Sequence, residues 1–522
     1  MNRILYCMMC LLGISFGTQA KVYDVHTLGA DASGKKRCTE IINQSIKQAA
    51  TEGGGTIYFP AGTYLTGAIR MESNITLHIE SGATLLFSDH FDDYLPFVRL
   101  RWEGTVMNSF SPLFYATDAE NLTICGRGKI NGQGAKWWAE DRRLNKAIRD
   151  NKGQNEPLTS YQKMWDEANP DFTVSPYYEP SVARKFFRPP FIQFFQCKNI
   201  LVEGITIVDS PFWTINPSFC DNVTIHGVTI INDPDSPNTD GINPSSCGNV
   251  HISNCHINVG DDCITIKSGR DADGRKWGKP CENITITNCT MLAGHGGVVI
   301  GSEMSGGVKR VTISNCVFDG TDAGIRLKAS RGRGGVVEEI RVNNIVMNNI
   351  QGNAFIFDLF YDRDSKQEPV SERTPIFRNI HISNVTGNHI NKIGYITGIE
   401  EMPIEEISFT NINMMGKEGF TTRTANNIRF QDVSFTVEKG ASFNFAGCEN
   451  IILNNVFSKV PIEGQAVLRI DNTKNVFITN CFPPVPTDLF CESKNSRIIW
   501  GNNFFQHVKK PLPPAEESRS LH

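Results

Sequence analysis

The chain has 522 residues, 40% of them hydrophobic, which allows one large domain or two to four ordinary ones. With 51 basic and 55 acidic side chains it lacks the basic excess that a nucleic-acid partner calls for. After the first 20 residues no apolar run is long enough to span a bilayer.

Residues 1–20 read as a secretory signal. Met1-Asn2-Arg3 is a basic start, Ile4 to Phe16 is an apolar run too short to span, and Thr18-Gln19-Ala20 is a cleavage site. Export to the periplasm or beyond, with cleavage near Ala20, is the expectation. A lipid anchor at Cys10 fits poorly, because Met8 and Met9 are not small residues. Loss of Arg3 takes the basic count from 51 to 50 and the net charge from −4 to −5. Cys7 and Cys10 leave with the signal. The remaining 13 of 15 cysteines are odd in number, so at least one thiol stays free. Export favours disulfides, and Cys263–Cys281 and Cys481–Cys491 are possible pairs.

Thr39 to Ala50 could form a helix, followed by the glycine-rich, strand-like EGGGTIYFPAGTYLTGAI. A short phrase then recurs: Asn, an aliphatic residue, any residue, a second apolar residue. It begins at Asn74, Asn121, Asn199, Asn222, Asn249, Asn283, Asn379, Asn427, Asn450 and Asn475, with variants at Arg310, Glu339 and Glu406. Each phrase reads as a short strand. Recurrence at about 21 to 34 residues within 199–339 and within 379–475, with no helical pattern between, points to a solenoid rather than a sandwich. The expected architecture is all-β: a single-domain parallel β-helix over residues 21–508, in which equivalent residues stack about 4.8 Å apart. The helix at Thr39 to Ala50 would cap its open end. Cys255, Cys289, Cys316 and Cys481 each follow an Asn at one coil position, as a ladder of small buried side chains would.

Two segments break the repeat. Gly134 to Pro190 is an insertion holding Trp137, Trp138, a charged helix-like run (AEDRRLNKAIRDNKGQ), Trp165 and Tyr177-Tyr178. Ser268 to Pro280 is a polar, basic loop. Residues 509–522 read as a disordered tail.

Coil spacing gathers the chemistry. Asp240 and Asp261 are one coil apart, so they should be neighbours, with Asp262 beside them. His295 stands at the same offset from its phrase as Asp261 does, so it should stack next to Asp261. One coil on come Arg326 and Lys328, completing one row. Singly these residues suit turns and solvated faces. Together, three crowded carboxylates suit glycosidic cleavage, which needs one protonated carboxyl and one ionised carboxylate. Arg326 and Lys328 share a strand face and could grip a substrate carboxylate. Lys267, Arg270, Arg331 and Arg333 add to a local basic strip that suits a sugar acid. Adjacent strand residues point to opposite faces, so Asp261 and Asp262 should sit at a strand end or bulge, with Gly260 supplying a bend.

The motifs "NTDG", "GDDC", "GHGG…IGS" and "RLK", in this order, resemble the polygalacturonase family of glycoside hydrolases, family 28. The resemblance runs from about Val22 to beyond Asn475. It implies a right-handed, pectin-lyase-like β-helix that hydrolyses galacturonic acid linkages in pectin with inversion, without metal or other cofactor. It further implies Asp261 as general acid, Asp240 and Asp262 activating water, His295 supporting the acid, and Arg326 and Lys328 binding the substrate carboxylate. Asn238 and Gly294 would shape turns, Tyr361 would line the site, and Asn238 and Lys267 would join Tyr361 as further substrate contacts. Asn243, Thr265 and Leu327 depart from the common pattern. The inverting rule, roughly 6.5–9.5 Å between carboxylates, fits stacked neighbours poorly. The sequence around His295 and Arg331 resembles the bacterial exo-acting branch, and the insertion could wall off one end of the cleft. An endo-polygalacturonase or rhamnogalacturonan hydrolase is the alternative within the class. A calcium-dependent pectate lyase and a non-catalytic β-helix binding protein are alternatives outside it.

Overall fold

The computed structural model describes residues 21–150, 159–172 and 187–510. The expected signal, the tail beyond Lys510 and Tyr177-Tyr178 lie outside the described residues.

The asparagines of the repeated phrase are corners. The backbone is left-handed at the first residue of each phrase, with φ of 56° at Asn222, 54° at Asn249, 58° at Asn283 and 56° at Arg310. Asn enters this region more cheaply than other side chains with a Cβ, because its amide bonds locally. The amides also stack. Asn222 Nδ2 donates to Asn199 Oδ1 at 2.9 Å, Asn283 Nδ2 to Asn249 Oδ1 at 3.1 Å, and Arg310 Nε to Asn283 Oδ1 at 2.7 Å. After each corner the two apolar residues of the phrase turn inward. Val223, Val250, Ile284 and Val311 lie in one register, as do Ile225, Ile252, Ile286 and Ile313, all buried. Each such side chain contributes about 1.5–3 kcal/mol of burial. No single coil could bury this file alone, so coil holds coil.

Pairing is parallel through a network of 31 strands. With successive coils advancing in one direction, the result is a right-handed parallel β-helix. Helix α1 (Thr39–Thr51) closes the N-terminal end by packing Ile42, Ile46 and Ala49 inward. At the other end strands of 22, 20 and 22 residues (Ile376–Thr397, Ile404–Arg423, Ala425–Ala446) run through the corners unbroken. The last strand, Val508–Lys510, carries the solenoid two residues past the boundary read from sequence.

The described part of the insertion forms α2 (Ala135–Asp150) and α3 (Ser160–Ala168), the latter started by a capping box between Thr159 and Gln162. The basic loop after Ser268 contains a short helix, α4 (Asp271–Trp277), ended by left-handed Gly278. An antiparallel hairpin, Val98–Trp102 with Thr105–Ser109, stands outside the solenoid. It packs Leu100, Trp102 and Met107 with Trp165, Phe187, Phe212 and Trp213 in a second apolar cluster.

The disulfide expectation is overturned: all 13 described cysteines are free thiols. Cys255, Cys289 and Cys316 form the expected buried ladder, each sulfur bonded to the carbonyl two residues earlier. A second ladder, Cys197, Cys220, Cys247 and Cys281, precedes the phrase corners by two residues. Cys263 and Cys281 sit at different corners, bonding Ala293 O and Pro244 O, so they do not meet.

Candidate active site

The strand Asp262–Ile266 begins at Asp262, and Asp261 lies in the bend before it. The strand-end expectation therefore holds. Gly260 makes the bend possible, since a Cβ there would stand 2.3 Å from Ser236 O. The register differs from the sequence reading by one residue. Ile242 bridges Ile264 and Gly241 N–H donates to Asp262 O, so Asp240 lies opposite Asp262, not Asp261. The bend carries Asp261 back toward both. Oxygens of Asp240, Asp261 and Asp262 lie within 4.8 Å of one another, a donor set that a hard cation could also accept.

His295 stacks on Asp261 as expected. Its N–H donates to Asp261 O at 2.9 Å and its Nδ1 lies 3.2 Å from Asp261 Oδ1. Gly294, at φ 134°, permits this approach: a Cβ would meet Asp261 O at 2.4 Å.

The single row does not extend to Arg326 and Lys328. Arg326 is in register with Val299 and Thr265, and Lys328 with Gly301, so both lie further along their strand than His295 does. Side-chain length closes the gap. Lys328 Nζ reaches back to Asp262 Oδ2 at 2.8 Å. Arg326 Nε is buried and without a hydrogen-bond partner among the described residues. Tyr361 joins the two cations: the Arg326 guanidinium and the Lys328 ammonium lie 5.5 and 5.7 Å from its ring centre, while the ring is 45% exposed.

Lys267, read from sequence as a substrate contact, is buried and committed elsewhere. Its ammonium pairs with Glu303 Oε2 at 2.7 Å and lies 4.6 Å from the Trp213 ring centre. Asn238 does more than shape a turn. At φ 53° it donates from Nδ2 to Asp261 Oδ2 at 3.4 Å and accepts on Oδ1 from Arg188 at 2.8 Å. Sequence reasoning assigned no role to Asn243, Thr265, Glu303, Trp213 or Arg188. Asn243 and Thr265 converge on Asp240 Oδ2, donating at 2.8 and 3.3 Å. Their signal was available: both depart from the family pattern, and they are one coil apart. Arg188 and Glu303 carried none, because only the folded loops bring them in.

Electrostatics separates Asp240 from Asp261. Burial and the adjacent Asp261 charge push the Asp240 carboxyl well above its ordinary range. With Oδ2 taken by two donors, Oδ1 is the oxygen left for a proton. Burial acts to raise Asp261 too, but the His295 hydrogen bond and charge, with Lys328 and Lys267, hold it below its ordinary value. The Asp261 bond correspondingly raises His295. Burial opposes the Lys267 charge, yet Glu303, Asp240 and Asp262 raise it on balance.

The hairpin is tied to the solenoid by paired bonds. The hairpin clasps the sheet through Arg101 N–H to Gln193 Oε1 at 2.9 Å and Gln193 Nε2 to Arg101 O at 2.8 Å. Arg101 also reaches Ser245 and Ser246 at 3.2 and 2.8 Å, while Arg270 N–H donates to Gly104 O at 3.1 Å. Trp102 stacks on Phe212 at 5.1 Å, and Asn169 at the end of α3 bonds Asn108.

The sequence model described as Glycosyl hydrolases family 28 matches residues 182–434, and one described as Rhamnogalacturonase A/epimerase, pectate lyase-like matches residues 22–89. Among solved structures, a hyperthermoactive exopolygalacturonase from Thermotoga maritima is 32% identical over 84% of this chain and 93% of its own, with a TM-score of 0.67. A probable polygalacturonase of Vitis vinifera is 28% identical, spanning 74% of this chain and 72% of its own length. An exo-poly-alpha-D-galacturonosidase of Dickeya chrysanthemi is 25% identical, spanning 83% and 74%. The chain belongs to glycosyl hydrolase family 28 and is a glycoside hydrolase.

Proposed function

We propose that the protein is a polygalacturonase that removes galacturonic acid from the end of pectic chains by an inverting hydrolysis. The observation that carries the hydrolytic reading is the trio of carboxylates within 4.8 Å, flanked by a His295 contact on Asp261 and by Arg326, Lys328 and Tyr361. Asp261 passes to the glycosidic oxygen the proton it shares with His295, which holds that proton while the Asp261 carboxyl itself is kept low. The bond from the anomeric carbon to this oxygen breaks. Water attacks the opposite face of the ring and gives up its proton to Asp262, while Asp240 orients the water. Asp240 Oδ1 and Asp262 Oδ1, both buried and without a hydrogen-bond donor among the described residues, suit that water. Arg326 and Lys328 hold the sugar carboxylate, with Tyr361 against the ring.

We read the hairpin, α3 and α4, tied together by hydrogen bonds, as a wall at one end of the cleft that would favour a chain terminus over a chain passing through. Two relatives, the exopolygalacturonase from Thermotoga maritima and the exo-poly-alpha-D-galacturonosidase of Dickeya chrysanthemi, carry exo-acting names. The residue range 21–508, extended to Lys510 by its last strand, is proposed to act as one domain after removal of residues 1–20 and export. Product analysis on oligogalacturonides tests the reading. Monogalacturonate as the sole early product is expected; mixed oligomers from the start would establish an endo mode. Retained activity in chelator, with no unsaturated product absorbing in the ultraviolet, is expected of a hydrolase and not of a calcium-dependent lyase.

A further inference from the structure

Arg188 stands where the insertion returns to the solenoid and is 2% exposed. Its fork is spread over the loops that frame Asp261. Nη1 donates to Pro211 O at 2.9 Å and to Pro237 O at 2.6 Å, and Nη2 donates to Asn238 Oδ1 at 2.8 Å. Nε lies 3.6 Å from Asp141 Oδ1 on α2, and the guanidinium lies 5.0 Å from the Phe212 ring centre. The Arg188 carbonyl accepts Trp102 Nε1 at 3.0 Å, tying the hairpin to the same point.

This arrangement fixes an amide. Arg has donors only, so the Asn238 group facing it must be the oxygen, which turns Nδ2 toward Asp261 Oδ2 at 3.4 Å. The other Asp261 oxygen, Oδ1, meets His295 Nδ1 at 3.2 Å and accepts the Asp262 N–H at 2.9 Å. The carboxyl is thus pinned at both oxygens. A charge buried this deeply is costly, and burial lowers Arg188 from its ordinary value. The two proline carbonyls could be met by a neutral donor. The bond to Asn238 gives the charge a use.

We propose that Arg188 is a positioning residue for Asp261, acting through Asn238, and that the insertion and hairpin thereby set the orientation of the proton donor as well as walling the cleft. The inference rests on the reading of Asp261 as that donor. The charged groups acting on Asp261 include His295, Lys328, Lys267, the Asp240 carboxyl and Arg188 itself; those acting on Arg188 are Asp141, Glu103, Asp261 and, in opposition, Arg142.

The test is steady-state kinetics on digalacturonate across pH, for wild type, Arg188→Gln, Asn238→Gly and the double variant. Gly keeps the left-handed backbone at position 238 while removing the amide. Each single change is expected to lower kcat about tenfold with KM within about twofold, because misorientation at the reacting group costs rate rather than binding. The double variant should cost little more than either single change, as one relay is cut twice. Loss of a positive charge near Asp261 and His295 raises both, so the basic limb of the Arg188→Gln profile should move up by about half a pH unit. Single variants that lower only the melting temperature, or costs that multiply in the double variant, would overturn the positioning role. If Arg188→Gln does not fold, Arg188→Lys and Asn238→Gly decide by the same criteria. Full activity in Asp261→Asn would instead overturn the donor reading itself, whatever the Arg188 variants do.

Discussion

His295 Nδ1 lies 3.2 Å from Asp261 Oδ1, and the same two residues are joined through the backbone at 2.9 Å. Two contacts between residues 34 apart in sequence exist because one coil separates them. The pair shares one proton: Asp261 raises His295, and His295 lowers Asp261. Below the raised value of His295 the pair is loaded, and as pH climbs through that value the proton is lost. Replacement His295→Ala removes the second seat. The rate should fall about 10²-fold, within the usual range for acid–base assistance, and the basic limb of the kcat/KM profile should move to lower pH. Initial rates across pH check both.

Arg326 has a buried Nε without a partner among the described residues and lies 5.5 Å from the Tyr361 ring centre. Substrate carboxylate is the anion that would complete it. Arg326→Met should raise KM for oligogalacturonides by about 10- to 100-fold, the scale of a charge-assisted bidentate bond. It should also narrow the preference for free acid over methyl-esterified substrate, measured as a ratio of kcat/KM values.

Lys267 and Glu303 form a buried pair at 2.7 Å. Burial raises Glu303, but the Lys267 and Arg333 charges depress it on balance. A depressed folded value means the contribution is present above the unfolded value, about 4.3, and is lost as pH falls through the folded one. Glu303→Gln leaves the Lys267 charge unpaired and should cost about 3–5 kcal/mol of stability at pH 7. Urea unfolding monitored by fluorescence measures it.

One oxygen from each of the three acids lies within 4.8 Å of the others, a clustering that the inverting rule of roughly 6.5–9.5 Å between carboxyl groups does not describe. The rule assumes two carboxylates facing each other across the sugar. Here Asp240 and Asp262 can share the water on one side while Asp261 protonates from the other. The product first seen by proton NMR should therefore be the β anomer, from an α linkage. A first-formed α anomer would mean retention.

Much of this was legible in the sequence. The Asn phrase repeats because each coil needs a left-handed corner, so the stacking of coils follows from the phrase itself. Coil arithmetic placed His295 beside Asp261. It failed by one residue for Asp240, because the bend at Gly260 shifts register in a way that spacing alone does not record. It failed for Arg326 and Lys328 because a corner of unknown length hides where along the next strand a residue falls; long side chains then restored the contact. The cysteine ladder was visible at Asn-Cys positions, while the second ladder, two residues before the corner, was overlooked. Lys267 was misread because its partner, Glu303, comes from the next coil. Arg188 and the hairpin were illegible, since their roles depend on loops folding over the sheet.

The direct measurement of the central claim is release of reducing ends from polygalacturonate by Asp261→Asn beside wild type. The substitution keeps size and most hydrogen bonds but cannot donate the proton. A loss of at least about 10³-fold, with the fold and substrate binding retained, is the result expected of a proton donor. Activity within about tenfold of wild type would contradict the assignment of the chemistry to this cluster of acids.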